Sequence, residues 1–225
     1  PDVLNTRCSI DGPVLRLNNA TNREAYSVLL LPSARVLHAD NAKRLQAFVE
    51  AGGRVVVTTQ LPAKSAELGR DAEVVAALRA LFGDRPVDAS QRPYVKRVHP
   101  SGGAAYFVPN ASGAALGAAL DDALPVPDVR VAENGPAVGP VAPTQSAPGN
   151  TVGVTTACGM LSYLHKVKDG RNVYYFANSS DEAVDTVVTL RGQHVLQRWD
   201  PLDGSMAAVE ADESVEGGVS CTRVR

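Results

Sequence analysis

The stretch FVEAGGRVVVTTQLP, residues 48–62, decides the fold. Phe48 and Val49 are the last apolar positions of a helical pattern, and Gly52 suits the left-handed residue that follows a helix end. Arg54 to Thr59 is then a short β-branched run, the pattern of a strand buried in a sheet. Gln60-Leu61-Pro62 opens a turn. Helix, glycine, buried strand and loop together form the repeating unit of a sheet whose parallel strands are joined by helices. In such sheets the loop past a strand's carboxyl end is where a nucleophile or a phosphate cradle sits. What this loop carries therefore bears on whether the chain is an enzyme.

The same grammar extends outward. Tyr26 to Leu31 is an almost wholly apolar run stopped by Pro32, expected to be a strand buried on both faces. In HADNAKRLQAFVEAGG, Asp40 is the expected helix cap, with Ala42, Leu45, Phe48 and Val49 on one face. A second helix is expected with Asp71 as cap, then Val74, Val75, Leu78, Leu81 and Phe82 on one face, ended by Gly83. Ala104 to Val108 reads as a weaker strand. Ser112 to Leu124 reads as a third helix with Leu116, Leu120 and Leu124 in line. Val129-Arg130-Val131 reads as a last short strand. This alternation predicts a small three-layer α/β sandwich over 20–132, flavodoxin-like or class I amidotransferase-like. Residues 1–19 read as a lead-in with a turn at Asp11-Gly12.

From 133 to 150 the texture changes to ENGPAVGPVAPTQSAPGN, dense in Pro and Gly, which reads as a linker. Beyond it, over 151–225, the helical period vanishes. Strands are expected at Leu161–Val167, Asn172–Ala177, Ala183–Leu190, Val195–Trp199, Met206–Val209 and Val219–Val224. Turns punctuate them at Asp169-Gly170, Arg191-Gly192, Asp203-Gly204 and Gly217-Gly218. Short, regularly punctuated strands predict an antiparallel β-sandwich, small enough to lean on a neighbour. The fold class is thus α/β plus all-β.

Composition narrows the function. The chain has 225 residues, a net charge of −2, 44% hydrophobic and 20% charged residues, which is globular. The interspersed charge leaves no footprint for nucleic acid. No apolar run approaches the ~18 residues of a membrane span, so no membrane partner is expected. The first residues, Pro1-Asp2, do not look like a signal and suggest a piece of something longer. Cys8, Cys158 and Cys221 are far apart and lack CxxC or Cys/His grouping, so three buried thiols are expected and no metal site.

A nucleophile elbow needs Cys or Ser between small residues, and the loop Val57-Thr58-Thr59-Gln60-Leu61-Pro62 offers only threonines, read as strand-end residues. Gly52-Gly53 closes a helix and does not open one, the wrong polarity for a phosphate loop, so no cofactor is expected. His38, His99, His165 and His194 share no metal-ligand spacing. His165, in YLHK, is the histidine singled out for ligand contact, with Asp200 or Trp199 as its expected neighbours across the sheet. The adjacent carboxylates Asp121-Asp122, Asp181-Glu182 and Asp212-Glu213 do not face each other across a bond as a glycosidase pair must. No catalytic residue is therefore assigned. Asp200, in WDPLDG, reads as the cap of a turn before Pro201. Trp199, the only Trp, suits stacking on a sugar ring, although a lone Trp in a small sandwich belongs more often in the core. Asn19, Asn110 and Asn178 begin glycosylation triplets, a pattern common by chance.

Two blocks carry a resemblance. AYSVLLLPSARVLHADNAKRLQAFVEAGGRVVVTTQLP resembles the amidotransferase-like domain that follows the catalytic barrel in several large bacterial glycoside hydrolases. It also resembles the trimerisation domain of some β-galactosidases. LHKVKDGRNVYYFANSSDEAVDTVVTLRGQHVLQRWDPLDG looks like the sandwich that comes next in the α-L-rhamnosidase-like family. His165-Lys166, Tyr175-Phe176-Ala177-Asn178 and Trp199-Asp200-Pro201 with Gly204 carry that likeness. The resemblance implies a secreted or periplasmic, carbohydrate-active parent whose catalytic carboxylates belong to an upstream barrel. The implied role is accessory: bracing the barrel, packing against other domains and helping to form oligomers. The implied partners are that barrel, further copies of the chain, and carbohydrate. Two other readings stay open, a carbohydrate-binding module and an amidotransferase-like hydrolase. His165, Trp199 and Asp200 are the ligand-binding candidates.

Overall fold

The computed structural model describes residues 3–18, 24–84, 92–132, 161–179, 181 and 183–225. The chain divides into two compact units, one reaching to Pro125 and one starting at Val126, the loop tip Val167–Gly170 excepted. The first is mixed α/β and the second all β.

In the first unit a helical turn, Val3–Arg7, leads into β1 (Cys8–Asp11), β2 (Val14–Leu17) and β3 (Ala25–Tyr26), a sheet of that order. Asp11 pairs with Val14, so the turn is Gly12-Pro13, one residue beyond the expected Asp11-Gly12. Gly12 takes the first corner at φ +55°, a conformation that costs glycine little. The expected lead-in is therefore folded, and Leu15 lies in the hydrophobic core.

Next come β4 (Val28–Leu31), β5 (Val36–Leu37), α1 (Ala39–Glu50), β6 (Arg54–Thr58), β7 (Lys64–Ser65), α2 (Asp71–Phe82), β8 (Val95–Val98), β9 (Ala104–Val108) and α3 (Gly113–Ala123). The main sheet runs β4-β6-β9-β8. β4, β6 and β9 are parallel, whereas β8, which the sequence pattern did not announce, is antiparallel to β9. Strand alternation sorts the core. Val55 and Val57 face Leu45, Phe48, Leu78 and Leu81 of α1 and α2, while Val56 faces α3. Burial on both faces is why RVVVT is so apolar.

Three expectations change here. β4 is an edge strand, so Leu30 is 43% exposed and not buried on both faces. Val75 is exposed beside its buried neighbour Val74. α3 buries Ala115, Ala119 and Ala123 against the sheet, with Leu116 and Leu120 at the margin. Residues four apart share a helix face, and the small ones let α3 approach Tyr106 closely. A similar close approach fixes Gly103: a Cβ there would lie 2.0 Å from the Val49 carbonyl oxygen.

The second unit holds β10 (Val129–Val131), β11 (Leu161–Lys168), β12 (Arg171–Asn178), β13 (Val188–Arg191), β14 (Leu196–Trp199), β15 (Met206–Val209), β16 (Asp212–Glu216) and β17 (Val219–Val224). Four of them form an antiparallel sheet, β10-β13-β17-β16, and β11-β12 and β14-β15 are two-stranded ribbons. Val129–Val131, read as the last strand of the α/β half, thus pairs with β13 in the second unit. Asp169-Gly170 turns β11 into β12 with both residues at positive φ, as the right-handed twist of the ribbon favours. β13 is shorter than the expected Ala183–Leu190, and β16 is an addition. Val129, Leu190 and Thr222 are buried on one face of this sheet, and Thr189 and Cys221 on the other.

Cys8 and Cys221 are free thiols, half-buried and buried respectively. Burial pushes the Cys8 thiol up, opposed by the Arg44 charge. Cys158 and the expected linker at 133–150 lie outside the described residues.

Candidate functional site

The loop at the carboxyl end of β6 is closed by its own backbone. Thr59 N–H donates to Val108 O at 2.8 Å, and Gln60 N–H donates to Thr58 O at 2.7 Å. That last bond spans a γ-turn with Thr59 at its centre, at φ +68°. The buried Thr58 hydroxyl accepts from Ser33 N–H at 3.1 Å, and Gln60 Nε2 lies 3.3 Å from Ser33 Oγ. Among the described residues no imidazole bonds to either threonine. The Thr58 hydroxyl and the backbone of Thr59 and Gln60 thus close the loop.

Helix α1 starts near the same edge of the sheet. Its N-cap is His38, whose side chain makes no capping bond. Glu67, in the segment after β7, supplies the missing acceptor: its Oε2 takes Ala39 N–H at 3.1 Å. Its Oε1 lies 3.1 Å from His38 Nδ1. A carboxylate at a helix N-terminus is stabilised by free amides and the helix dipole. The Ser65 hydroxyl first, then Ala39 N–H, hold the Glu67 carboxyl down at about 2. Asp40, the expected cap, instead pairs with Arg70 at 2.8 Å, and Arg70 also grips Glu73 at 2.7 Å. Asp71, expected to cap α2, is its first helical residue and accepts from Ser65 N–H at 2.7 Å. Glu67 thus caps α1, while Asp71 ties the start of α2 to β7.

The second unit contains a polar cluster around His165. His165, on β11, has Nδ1 2.7 Å from Asp128 Oδ2 and Nε2 2.9 Å from the Asn172 side-chain oxygen. Its ring stacks on Tyr174 at 4.2 Å between centroids and 13° between planes. Tyr174 meets His194 edge-on at 5.9 Å. Arg191 approaches the other Asp128 oxygen at 3.5 Å. Burial, then the Asp128 charge, push Tyr174 up to about 12, so it stays a neutral phenol. His194 is fixed in turn, with Nε2 2.9 Å from Arg191 O and its N–H donating to Thr222 Oγ1 at 2.9 Å. An aspartate orienting a histidine is a familiar general-base arrangement. Here, however, the second nitrogen faces Asn172, which makes the pair a clamp between the segment before β10 and the β11-β12 ribbon.

The three sequence candidates are not brought together by these contacts. His165 meets Asp128, Asn172 and Tyr174 rather than the expected Asp200 or Trp199. Trp199 is not in the core: it is 67% exposed on β14. Asp200 caps its turn as expected, its Oδ1 accepting from Leu202 N–H at 2.9 Å. Asp128, Asn172 and Arg191 escaped sequence reasoning. Asp128 lies 37 residues before His165 and nothing in VPDVR marks it.

Among the described residues no three His, Cys, Asp or Glu side chains gather as metal ligands. No described helix is long and apolar enough to cross a membrane. An open groove of about 300 Å³ in the second unit is lined by Leu161, Phe176, Val184 and Val188, together with the Asp185–Arg225 ion pair. Compared with protein-family models and with curated proteins, the chain matches neither.

Proposed function

We propose that this chain is a non-catalytic accessory region of a secreted or periplasmic, α-L-rhamnosidase-like glycoside hydrolase. It braces the parent's upstream barrel, packs against neighbouring domains, and contributes to self-association. The observation that carries this reading is the β11-β12 ribbon, one face of which leaves Leu164, Val173 and Tyr175 exposed, while Tyr163 and Val167 are exposed on the other. Apolar surface concentrated on one ribbon is the mark of a face that something covers. Support comes from the committed polar groups: the Thr58 hydroxyl closes a loop, Glu67 and Asp71 hold helix starts, and His165 clamps a ribbon. The layering of the first unit, with α1 and α2 on one sheet face and α3 on the other, suits an amidotransferase-like domain. The antiparallel second unit suits a small β-sandwich. Both fit the resemblance carried by the two sequence blocks.

The test has two arms. The purified chain, assayed against a panel of aryl glycosides, is expected to show no turnover. The parent's barrel, expressed with and without this region, is expected to melt at a lower temperature without it. Turnover by the chain alone, or a barrel indifferent to its removal, would overturn the proposal.

A further inference from the structure

One face of the β11-β12 ribbon carries charge as well as apolar surface. Asp169-Gly170 is a two-residue turn, so Lys168 stands opposite Arg171, and each step back along β11 meets a step forward along β12. The side chains agree with that register: His165 stacks on Tyr174, Tyr163 lies 6.2 Å from Phe176 between centroids, and the Ser162 hydroxyl donates to Ala177 O at 3.4 Å. His165 bonds to Asp128, so its face is the one turned toward the rest of the second unit. Strand alternation puts Leu164, Lys166 and Lys168 of β11, with Arg171, Val173 and Tyr175 of β12, on the opposite face, and all six are exposed. The cations gather at the turn end, where Asp169 is the one acid of the ribbon. Leu164 and Tyr175 face each other across the strands farther back. Among the described residues none of the three cations has an ion-pair partner.

We propose that this face docks an acidic protein patch, carboxylates set beside an apolar centre, carried by the barrel of the same parent polypeptide. Like charges directly opposite each other on a ribbon repel, so Lys168 and Arg171 weaken the free ribbon, and Lys166 on the same face adds to the repulsion. Leu164, Val173 and Tyr175 meanwhile leave apolar surface in water. One partner relieves both costs when its carboxylates meet the turn end and its apolar side chains meet Leu164 and Tyr175. A nucleic acid or an acidic polysaccharide would neutralise the cations and leave the aliphatic side chains uncovered. A net charge of −2 also gives such polyanions no broad positive field to follow. A membrane calls for apolar side chains where the ribbon would enter it, and here the turn end carries the charges. Six side chains make less than the about 800 Å² per partner of a stable free complex. A tethered barrel does not need that area, because its docking is intramolecular, at an effective concentration on the order of millimolar. The barrel as carrier rests on the accessory reading above, whereas the acidic and apolar pattern asked of the partner comes from the ribbon itself.

One substitution should act with opposite signs in two settings. In the isolated chain Lys168→Glu turns a repelling cross-strand pair into an attracting one, and is expected to raise the urea midpoint of the second unit. In the parent the same change is expected to reduce the rise in melting temperature that this region gives the barrel. The triple variant Lys166→Gln, Lys168→Gln, Arg171→Gln is expected to lose most of that rise. Wild type should lose part of it when salt goes from about 0.05 M to about 0.5 M, each measured against the barrel alone at the same salt. Tyr175→Ser should also lose part, and what remains should still fall with salt. Circular dichroism of each variant checks that the fold is kept. A triple variant that stabilises the barrel as well as wild type does overturns the proposal and leaves the bracing role standing. A barrel indifferent to the wild-type region overturns both. Retention of the isolated chain on immobilised DNA or on phosphatidylserine vesicles at about 0.15 M salt, lost in the triple variant, would assign the cations to a polyanion or a membrane and overturn the acidic protein partner.

Discussion

Thr59 sits at a backbone angle that β-branched residues avoid, φ +68°. Such a conformation costs about 1–2 kcal/mol for a side chain bearing Cβ. It persists only where the surroundings over-determine it. Here the determinants are backbone bonds, Thr59 N–H to Val108 O and Gln60 N–H to Thr58 O, and neither needs the threonine side chain. Glycine adopts the same angle without the clash, although its freer unfolded chain gives back roughly 0.5–1 kcal/mol. Because the side chain is exposed, few contacts are lost. Thr59→Gly is therefore expected to raise stability by up to about 1 kcal/mol, seen as a higher urea midpoint at unchanged slope. A lower midpoint would mean that the Thr59 side chain has a task beyond closing the loop, and would reopen the question of chemistry at the sheet's crest.

At the scale of elements, the start of α1 depends on a residue from elsewhere in the chain. Glu67 accepts from Ala39 N–H and from Ser65, and its carboxyl is held at about 2 against an ordinary 4.5. A depressed folded-state value means that the ionised form favours folding. Its contribution is fully present above pH about 4.5 and is lost as pH falls toward about 2. Glu67→Gln keeps an acceptor for Ala39 N–H but not the charge. The gap in urea midpoint between wild type and variant should be widest near neutral pH and close through that window. Added salt should narrow it, because the site is near the surface. A gap independent of pH would show that the charge contributes nothing to the helix start. The same cap explains what the sequence could and could not tell. Asp40 stands at the right place for a local cap, and only the tertiary partners Arg70 and Glu67 reassign it. The strands Arg54–Thr58, Met206–Val209 and Val219–Val224 are legible in the sequence, Arg54–Thr58 from its two-sided apolar signature. Val28–Leu31 is equally apolar, yet nothing local distinguishes an edge strand from an inner one. Val129–Val131 is too short to announce its sheet. In α3 the leucines drew attention, while the alanine row does the packing. His165 stands out inside its aromatic strand, but its partner Asp128 is hidden by sequence distance. For Trp199 the sequence leaves both sugar stacking and the core open, and its place beside Met206 on an exposed ribbon face excludes the core.

For the molecule as a whole, the two units differ in how much they bury. The first has two clusters of fully buried side chains, including Phe48, Val55, Val56, Val57, Val74 and Tyr106. The second buries Leu190, Cys221 and Thr222 comparably deeply, and exposes Tyr163, Val173, Tyr175, Trp199 and Met206. Apolar burial is the main favourable term in folding, and small units bury proportionally less of it. Opening free energies should therefore differ between the units. In hydrogen exchange under increasing urea, amides of Val188–Arg191 and Val219–Val224 are expected to lose protection at lower denaturant than those of Arg54–Thr58 and Ala104–Val108. Coincident loss would mean one cooperative unit and would remove the thin-core argument. The comparison also bears on function. If the exposed ribbon β11-β12 is a docking face, a bound barrel adds burial where the chain has least, and binding to the folded form alone raises stability by mass action. Attaching the barrel should then move the transition of the second unit toward that of the first. A second unit that stays equally labile in the barrel's presence would mean that its exposed side chains are not where the parent docks.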